Sequence, residues 1–270
     1  MLEPSVNQHF QKHYPCVLAI GGHDPSSGAG VVADAQAILA LKAWPLTLIT
    51  SLTSQNSKTV SQVWHQEPEN LLEQLTTLTS EFTPSAIKLG VLGSLELQEA
   101  ITQWLKNQPR CPVVLDPVIS STSGHSFCSA EQLEHLREEL LPLVSVLTPN
   151  QPELEQLAPQ ATTTEGRVAD LFKQGCRALL LTGTHNQTQA IRNQLFTASG
   201  TLPQVSRWPR LDDEFHGSGC TLAAALAALL ARGEALEVAS HLAQDFTWNS
   251  LKQAVRPSEG HPLPLRLQEA

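Results

Sequence analysis

What most restricts the folds open to this chain is an alternation, from one end to the other, of short apolar runs with amphipathic stretches. The runs CVLAIGG (16–22), PLTLITSL (45–52), SAIKLGVL (85–92), PVVLDPV (112–118), SVLTPN (145–150) and ALLLTG (178–183) read as strands. Between them, 29–43, 68–82, 95–107 and 129–141 carry helical spacing, with Pro68 suited to a first turn and Ser129 to an N-cap. This is the pattern of an α/β protein whose mostly parallel sheet is covered by helices. The polar segment 184–210, broken by Gly200, Pro203 and Pro209, reads as a hairpin or flexible loop. No composition shift divides the chain, so the expectation is one domain over 15–270 behind an N-terminal arm, 1–14.

The 270 residues suffice for a large core, and 17 basic against 26 acidic residues give a net charge of -9. That balance argues against a nucleic-acid surface. A bound phosphate would have to be held locally, by backbone amides, metal or a few placed cations. Five scattered cysteines with no C-x-x-C pair point to a reducing compartment. The start lacks a signal-peptide core, and the longest apolar run, LAAALAALLA, is far short of the ~20 residues needed to cross a bilayer. A cytoplasmic protein without a membrane partner is expected.

In an open parallel sheet, ligands collect at the carboxyl ends of the strands, so the residues just after each run are the candidates. GGHDPSSGAG (21–30) offers a sharp turn, but it has neither the dinucleotide-binding glycine spacing nor the Lys-Ser or Lys-Thr of a Walker A loop. Asp34 sits among Val31, Val32, Ala33 and Ala35, a placement that on its own favours the solvent face of a helix. Gln55 offers a donor beside an acceptor, as an aminopyrimidine or adenine edge requires, although Gln and Asn after a strand are often only turn formers. Lys88 inside a strand reads as an edge or snorkelling residue. Asp116 before Pro117 stands either in a turn or where a carboxylate meets metal-bound phosphate. Asn150 and Glu153, three apart at a helix start, form a capping pair or jointly order a hydrated Mg²⁺.

HGSGC (216–220) opens the apolar run LAAALAALLA. Gly217 and Gly219 leave amides uncovered at a helix start, where an anion meets free donors and the positive end of the macrodipole. Cys220 lies at the same terminus, which can bring a thiol pKa from ~8.5 down to roughly 3.5–7.5 and make it a base or nucleophile.

Taken together, GGHDPSSGAGVVADAQAILAL, TSLTSQN, IKLGVLGS, VVLDPVISSTSG, LLPLVSVLTPNQPE and HGSGCTLAAALAALLA resemble, in order and spacing, the hydroxymethylpyrimidine/phosphomethylpyrimidine kinases of thiamine biosynthesis. The resemblance implies a ribokinase-like three-layer α/β/α sandwich, often dimeric, that transfers phosphate from ATP with Mg²⁺ first to a pyrimidine alcohol and then to its monophosphate. It implies that Asp34 meets the hydroxymethyl end of the substrate and Gln55 the aminopyrimidine edge, with Gly22, Val91 and Val118 as pocket walls. Asp116 and Glu153 then serve Mg²⁺, Asn150 serves phosphate, and His216, Gly217, Ser218, Gly219 and Cys220 form the anion hole. Cys220 takes the place of the sugar kinases' catalytic aspartate, so a base role there implies a larger loss for the alcohol than for the monophosphate in Cys220→Ala. The chain departs from the pattern at Thr182, where a lysine that contacts ATP phosphates is usual, leaving Lys88, Arg192 or another cation as substitutes. Thr184 and Ser27 replace glycines, Val91 replaces a methionine, and Glu214 and Phe215 are atypical. Pyridoxal kinases of the same superfamily, and a non-catalytic paralogue that binds a pyrimidine or nucleotide, are the competing readings.

Overall fold

The computed structural model describes residues 14–267 apart from 109–110, 122–123, 125, 184–189 and 201; the N-terminal arm up to residue 13 and Thr184 therefore lie outside the described residues. Nine strands form one sheet: β1 (Cys16–His23), β2 (Trp44–Gln55), β3 (Val60–His65), β4 (Ala86–Leu89), β5 (Val113–Leu115), β6 (Val146–Leu147), β7 (Ala178–Leu181), β8 (Ala190–Thr197) and β9 (Gln204–Pro209). Their order is β3-β2-β1-β4-β5-β6-β7-β8-β9. The six from β2 to β7 run parallel, while β3 at one edge and β8 and β9 at the other pair antiparallel.

Period-two alternation splits the strand residues between two cores. Leu18, Ile20, Ile87, Leu89, Val113, Leu115 and Leu147 face one side. There they meet α2 (Pro68–Thr79), α3 (Leu95–Lys106), α5 (Gln151–Leu157) and α6 (Thr164–Lys173). Val17, Ala19, Ala86, Val114, Val146 and Ala178 face the other, with α1 (Gly30–Ala40), α7 (Ser218–Ala231) and α8 (Leu236–Lys252). The three-layer α/β/α expectation is met.

Alanines on that second strand face let α7 lie close to the sheet, and α1 and α8 cover its outer sides. Every residue of α7 from Thr221 to Leu229 is buried, which is why its sequence carries no polar stripe.

The predicted helices appear with trimmed ends. α4 (Ala130–His135) begins with the expected Ser129 cap, closed into a capping box by Gln132, and then passes through a π turn over 136–140 into a short 3-10 turn over 141–143. Of the segment 184–210, the described residues from 190 on supply the β8–β9 hairpin. The edge strand β3 was not expected from sequence: VSQVWH has no buried residue and hence no apolar face to betray it.

Candidate active site

All the parallel strands end at one edge of the sheet, and the segments leaving them enclose a cavity of about 690 Å³. It is lined by Gly22 near the end of β1, Gln55 at the end of β2, Val91 after β4, Asp116 and Val118 after β5, Asn150 and Glu153 after β6, Thr182 after β7, and His216, Gly217, Ser218, Gly219 and Cys220 at the start of α7. From β2 to β7 are five strand steps, so the site is about 24 Å long at roughly 4.8 Å per step. Two small molecules can lie end to end along it.

The turn before α7 is fixed by one glycine. Gly217 is the N-cap at φ +86°, and a Cβ there would strike the carbonyl oxygen of Gly28. Left-handed backbone and close approach of two loops both require glycine. The helix therefore begins with its free amides at the cavity, the arrangement that receives anions.

The loop after β1 is bound to this turn by Asp24. Its carboxylate accepts from Ser26 N (2.8 Å), Ser26 Oγ (2.9 Å) and Ala29 N (2.9 Å), and pairs with His216 Nε2 at 2.7 Å. Burial raises the Asp24 pKa, but hydrogen bonds from His216, Gln55 and Ser26 outweigh burial and hold it well below the usual carboxylate range. Asp24 is a site residue that the sequence reading treated only as part of a tight turn.

Lys88 corrects its sequence reading. β4 is a central strand, so Lys88 is neither at an edge nor snorkelling; its Nζ lies 2.8 Å from Asp34 Oδ2, with side-chain exposures of 1% and 0%. Burial pushes the ammonium pKa down, yet Asp34, Cys220 and Asp116 overcome this and raise it. Asp34 is corrected as well. It faces the protein interior instead of solvent, and it does not line the cavity, so its link to the site runs through Lys88, which does.

Cys220 is a third correction. Burial pushes its thiol up to about 12, with Asp116 and Asp34 adding to the rise and Lys88 opposing it. The Gly30 amide also opposes the rise. Desolvation and two neighbouring carboxylates thus oppose the pull of the helix terminus and of Lys88 and disfavour the thiolate, although the half-buried Cys220 still lines the cavity.

Asn150 and Glu153 form the capping box of α5, each accepting from the other's amide at 2.9 Å. Glu153 still lines the cavity, so capping and site role coexist. Burial, then Asp116, pushes its carboxyl up to about 8, while burial lifts Asp116 to about 6 against the pull of Lys88. Two acids crowded in this way are the donor set for a hydrated divalent cation; among the described residues no three His, Cys, Asp or Glu side chains make a closed metal cage.

Comparison with known proteins decides the family: residues 24–264 match phosphomethylpyrimidine kinase. The chain belongs to that family. It is 39% identical over 221 residues to the hydroxymethylpyrimidine/phosphomethylpyrimidine kinase of Salmonella typhimurium, covering 80% of this chain and 82% of that one. Among solved structures, the phosphomethylpyrimidine kinase of Clostridium difficile 630 superposes with a TM-score of 0.74 at 26% identity, over 86% of this chain and 97% of that one. An ADP complex of Bacillus subtilis pyridoxal kinase superposes with a TM-score of 0.83 at 25% identity, over 93% and 97%.

Against the family pattern, Thr182 lines the cavity without supplying a charge, its amide donating to Pro149 O at 2.9 Å. Of the two cations named as substitutes, Lys88 is committed to Asp34, and Arg192 does not line the cavity, which leaves another cation. Lys58 and Arg210 do line it.

Proposed function

We propose that this chain phosphorylates 4-amino-5-hydroxymethyl-2-methylpyrimidine and then its monophosphate, with ATP as donor. The observation that carries the reading is the single long cavity. An amide-reading residue, Gln55, stands at the β2 end, and an anion-receiving helix start faces an acidic pair farther along.

In this reading Gln55 pairs with the aminopyrimidine edge, Val91 and Val118 hold the ring, and Gly22 lets the ring approach the backbone. The amides of Ser218, Gly219 and Cys220 receive the oxygens of the transferred phosphoryl group, where preorganised donors stabilise developing charge. Asp116 and Glu153 are the residues that would hold Mg²⁺, and Asn150 and His216 would face the phosphates. The cation supplies charge neutralisation and phosphate alignment that an acidic chain without the family lysine otherwise lacks.

In this reading Cys220 enters as a donor at the anion hole, which its raised thiol pKa favours over a base role. The second transfer needs no base, because a phosphate monoester with a second pKa of ~6 is mostly ionised at neutral pH. The same fold carries pyridoxal kinase activity in the Bacillus subtilis protein, so pyridoxal is the competing acceptor. The deciding experiment measures ADP release with hydroxymethylpyrimidine, its monophosphate and pyridoxal in parallel. Turnover of both pyrimidines above pyridoxal is expected; turnover of pyridoxal alone would replace the reading. Following the family resemblance, the enzyme is proposed to act in the cytoplasm as a homodimer, to be read from its sedimentation.

A further inference from the structure

The family match ends at residue 264, and two residues beyond it the C-terminal tail carries Arg266, 2% exposed. All five N–H donors of its guanidinium are engaged. Nε donates to Thr221 Oγ1 at 2.8 Å, and Nη1 donates to Gln36 Oε1 at 3.1 Å and to Ser27 O at 3.4 Å. Nη2 donates to Gly28 O and, at 3.4 Å, to Gly217 O.

These acceptors are not scattered. Ser27 and Gly28 belong to the loop after β1, whereas Gly217 and Thr221 belong to the start of α7, so one side chain joins the two turns that meet at the phosphate-receiving mouth. A helix start whose amides face a cavity leaves its neighbouring carbonyls turned inward, and buried carbonyls need donors. Gly217 O is served within the helix by Thr221 N at 3.0 Å. Ser27 O and Gly28 O lie in irregular backbone, and Arg266 supplies both.

Ser27 is itself held at φ +60°, a left-handed conformation that is costly for a non-glycine residue and persists where its surroundings enforce it. On the cavity side the same two turns are joined by Asp24 and His216. Arg266 does not line the cavity and so closes the joint from behind.

We propose that Arg266 is a positioning residue for phosphoryl transfer: by bridging Ser27–Gly28 to Gly217–Thr221 it sets the spacing between the substrate loop and the anion hole. The proposal rests on the kinase reading above. It acts through backbone geometry and touches no substrate, so its removal lowers turnover and phosphate affinity while leaving pyrimidine recognition at Gln55 in place. Lysine cannot take its role, because three donors on one atom cannot reach two turns and Gln36 together.

The test compares R266A, R266K and Q36A with the unaltered chain, reading kcat, KM for hydroxymethylpyrimidine, ADP affinity by calorimetry, and thermal melting. Since misplacement on the scale of 1 Å can cost about 10²-fold, R266A is expected to lose roughly 10- to 100-fold in kcat with KM within about threefold. ADP is expected to bind about tenfold more weakly, by loosening of the preorganised site. Guanidinium at millimolar concentration should restore several-fold of the lost kcat, and equal sodium or methylammonium chloride should not. R266K is expected to resemble R266A, and Q36A, which removes only the tie to α1, to keep normal turnover.

A folded R266A with unaltered kcat and ADP affinity would overturn the proposal, as would a change confined to KM, or full activity in R266K. If R266A does not fold, R266K carries the same readings. Should the unaltered chain turn over neither pyrimidine, the kinase reading fails, whereas the ADP affinities still decide the role of Arg266.

Discussion

Lys88 Nζ lies 2.8 Å from Asp34 Oδ2 in the middle of the protein, with the second Asp34 oxygen buried and without a hydrogen-bond partner among the described residues. Removing one member leaves the other charge buried alone, which typically costs about 3–5 kcal/mol. Asp34→Asn and Lys88→Met are each expected to lose that much in urea unfolding. The double variant should recover a large part of it, because the strain of either single change is the unpaired partner. Losses that simply add in the double variant would show that the two residues do not depend on one another.

The two glycines of the phosphate turn make opposite demands. Gly217 is left-handed and in contact with Gly28 O, so Gly217→Ala must move backbone; instability and loss of turnover are expected together. Gly219 lies inside the first turn of α7 with ordinary geometry, and a Cβ there would stand 3.5 Å from an Asp116 oxygen, in normal contact. Gly219→Ala should therefore melt no lower than the unaltered chain, since alanine favours a helix by about 0.8–1 kcal/mol over glycine. Its methyl group enters the cavity, and kcat/KM should fall at least tenfold by crowding the place where phosphate oxygens must meet the amides. Equal activity in this variant would remove the transfer site from the start of α7.

The contrast shows what could be read from sequence and what could not. HGSGC before an apolar helix announces its own geometry, because glycine spacing, helix start and full burial are local properties of one segment. Asn150 and Glu153 were legible for the same reason, as neighbours three apart. Lys88 and Asp34, by contrast, are 54 positions apart, and nothing in either segment says that a central strand will face the first helix. The Cys220 thiol shows the complementary limit: the helix start that would lower its pKa is local and visible, whereas the burial that chiefly raises it, and the carboxylates Asp116 and Asp34 that add to the rise, come from tertiary packing. Edge hairpins such as β2–β3 escape because exposed strands need no apolar alternation.

With its thiol pushed up to about 12, Cys220 should behave as a protonated donor. Iodoacetamide at pH 8 is expected to modify it at least about 100-fold more slowly than free cysteine, since only the thiolate reacts. Cys220→Ala should lower phosphorylation of the alcohol and of the monophosphate by the same factor, within about threefold, because a positioned base contributes about 10²–10⁴-fold only where a proton must be removed. Cys220→Ser keeps a donor toward Asp116 and should retain more activity in both steps. A loss confined to the alcohol would restore the thiolate to the mechanism.

Glu153 at about 8 and Asp116 at about 6 both lie above the ordinary carboxylate value of about 4. Acids whose pKa rises on folding bind protons more tightly in the folded state. Their stabilising contribution is full below about pH 4 and is lost as pH climbs through about 6 and then about 8. The metal-free protein should thus melt lower at pH 8 than at pH 6. Mg²⁺ requires the ionised pair and competes with the protons, so its melting shift should be larger at pH 8, where Asp116 is ionised and fewer protons need be displaced from Glu153 than at pH 6. In Glu153→Gln the amide oxygen can still accept from the Asn150 amide, which keeps the helix cap. That variant should be more stable than the unaltered chain at pH 8 without metal, lose most of the Mg²⁺ shift, and fall at least about 10²-fold in turnover. A Mg²⁺ shift that is the same at both pH values, and unchanged by the substitution, would place the cation elsewhere than between Asp116 and Glu153.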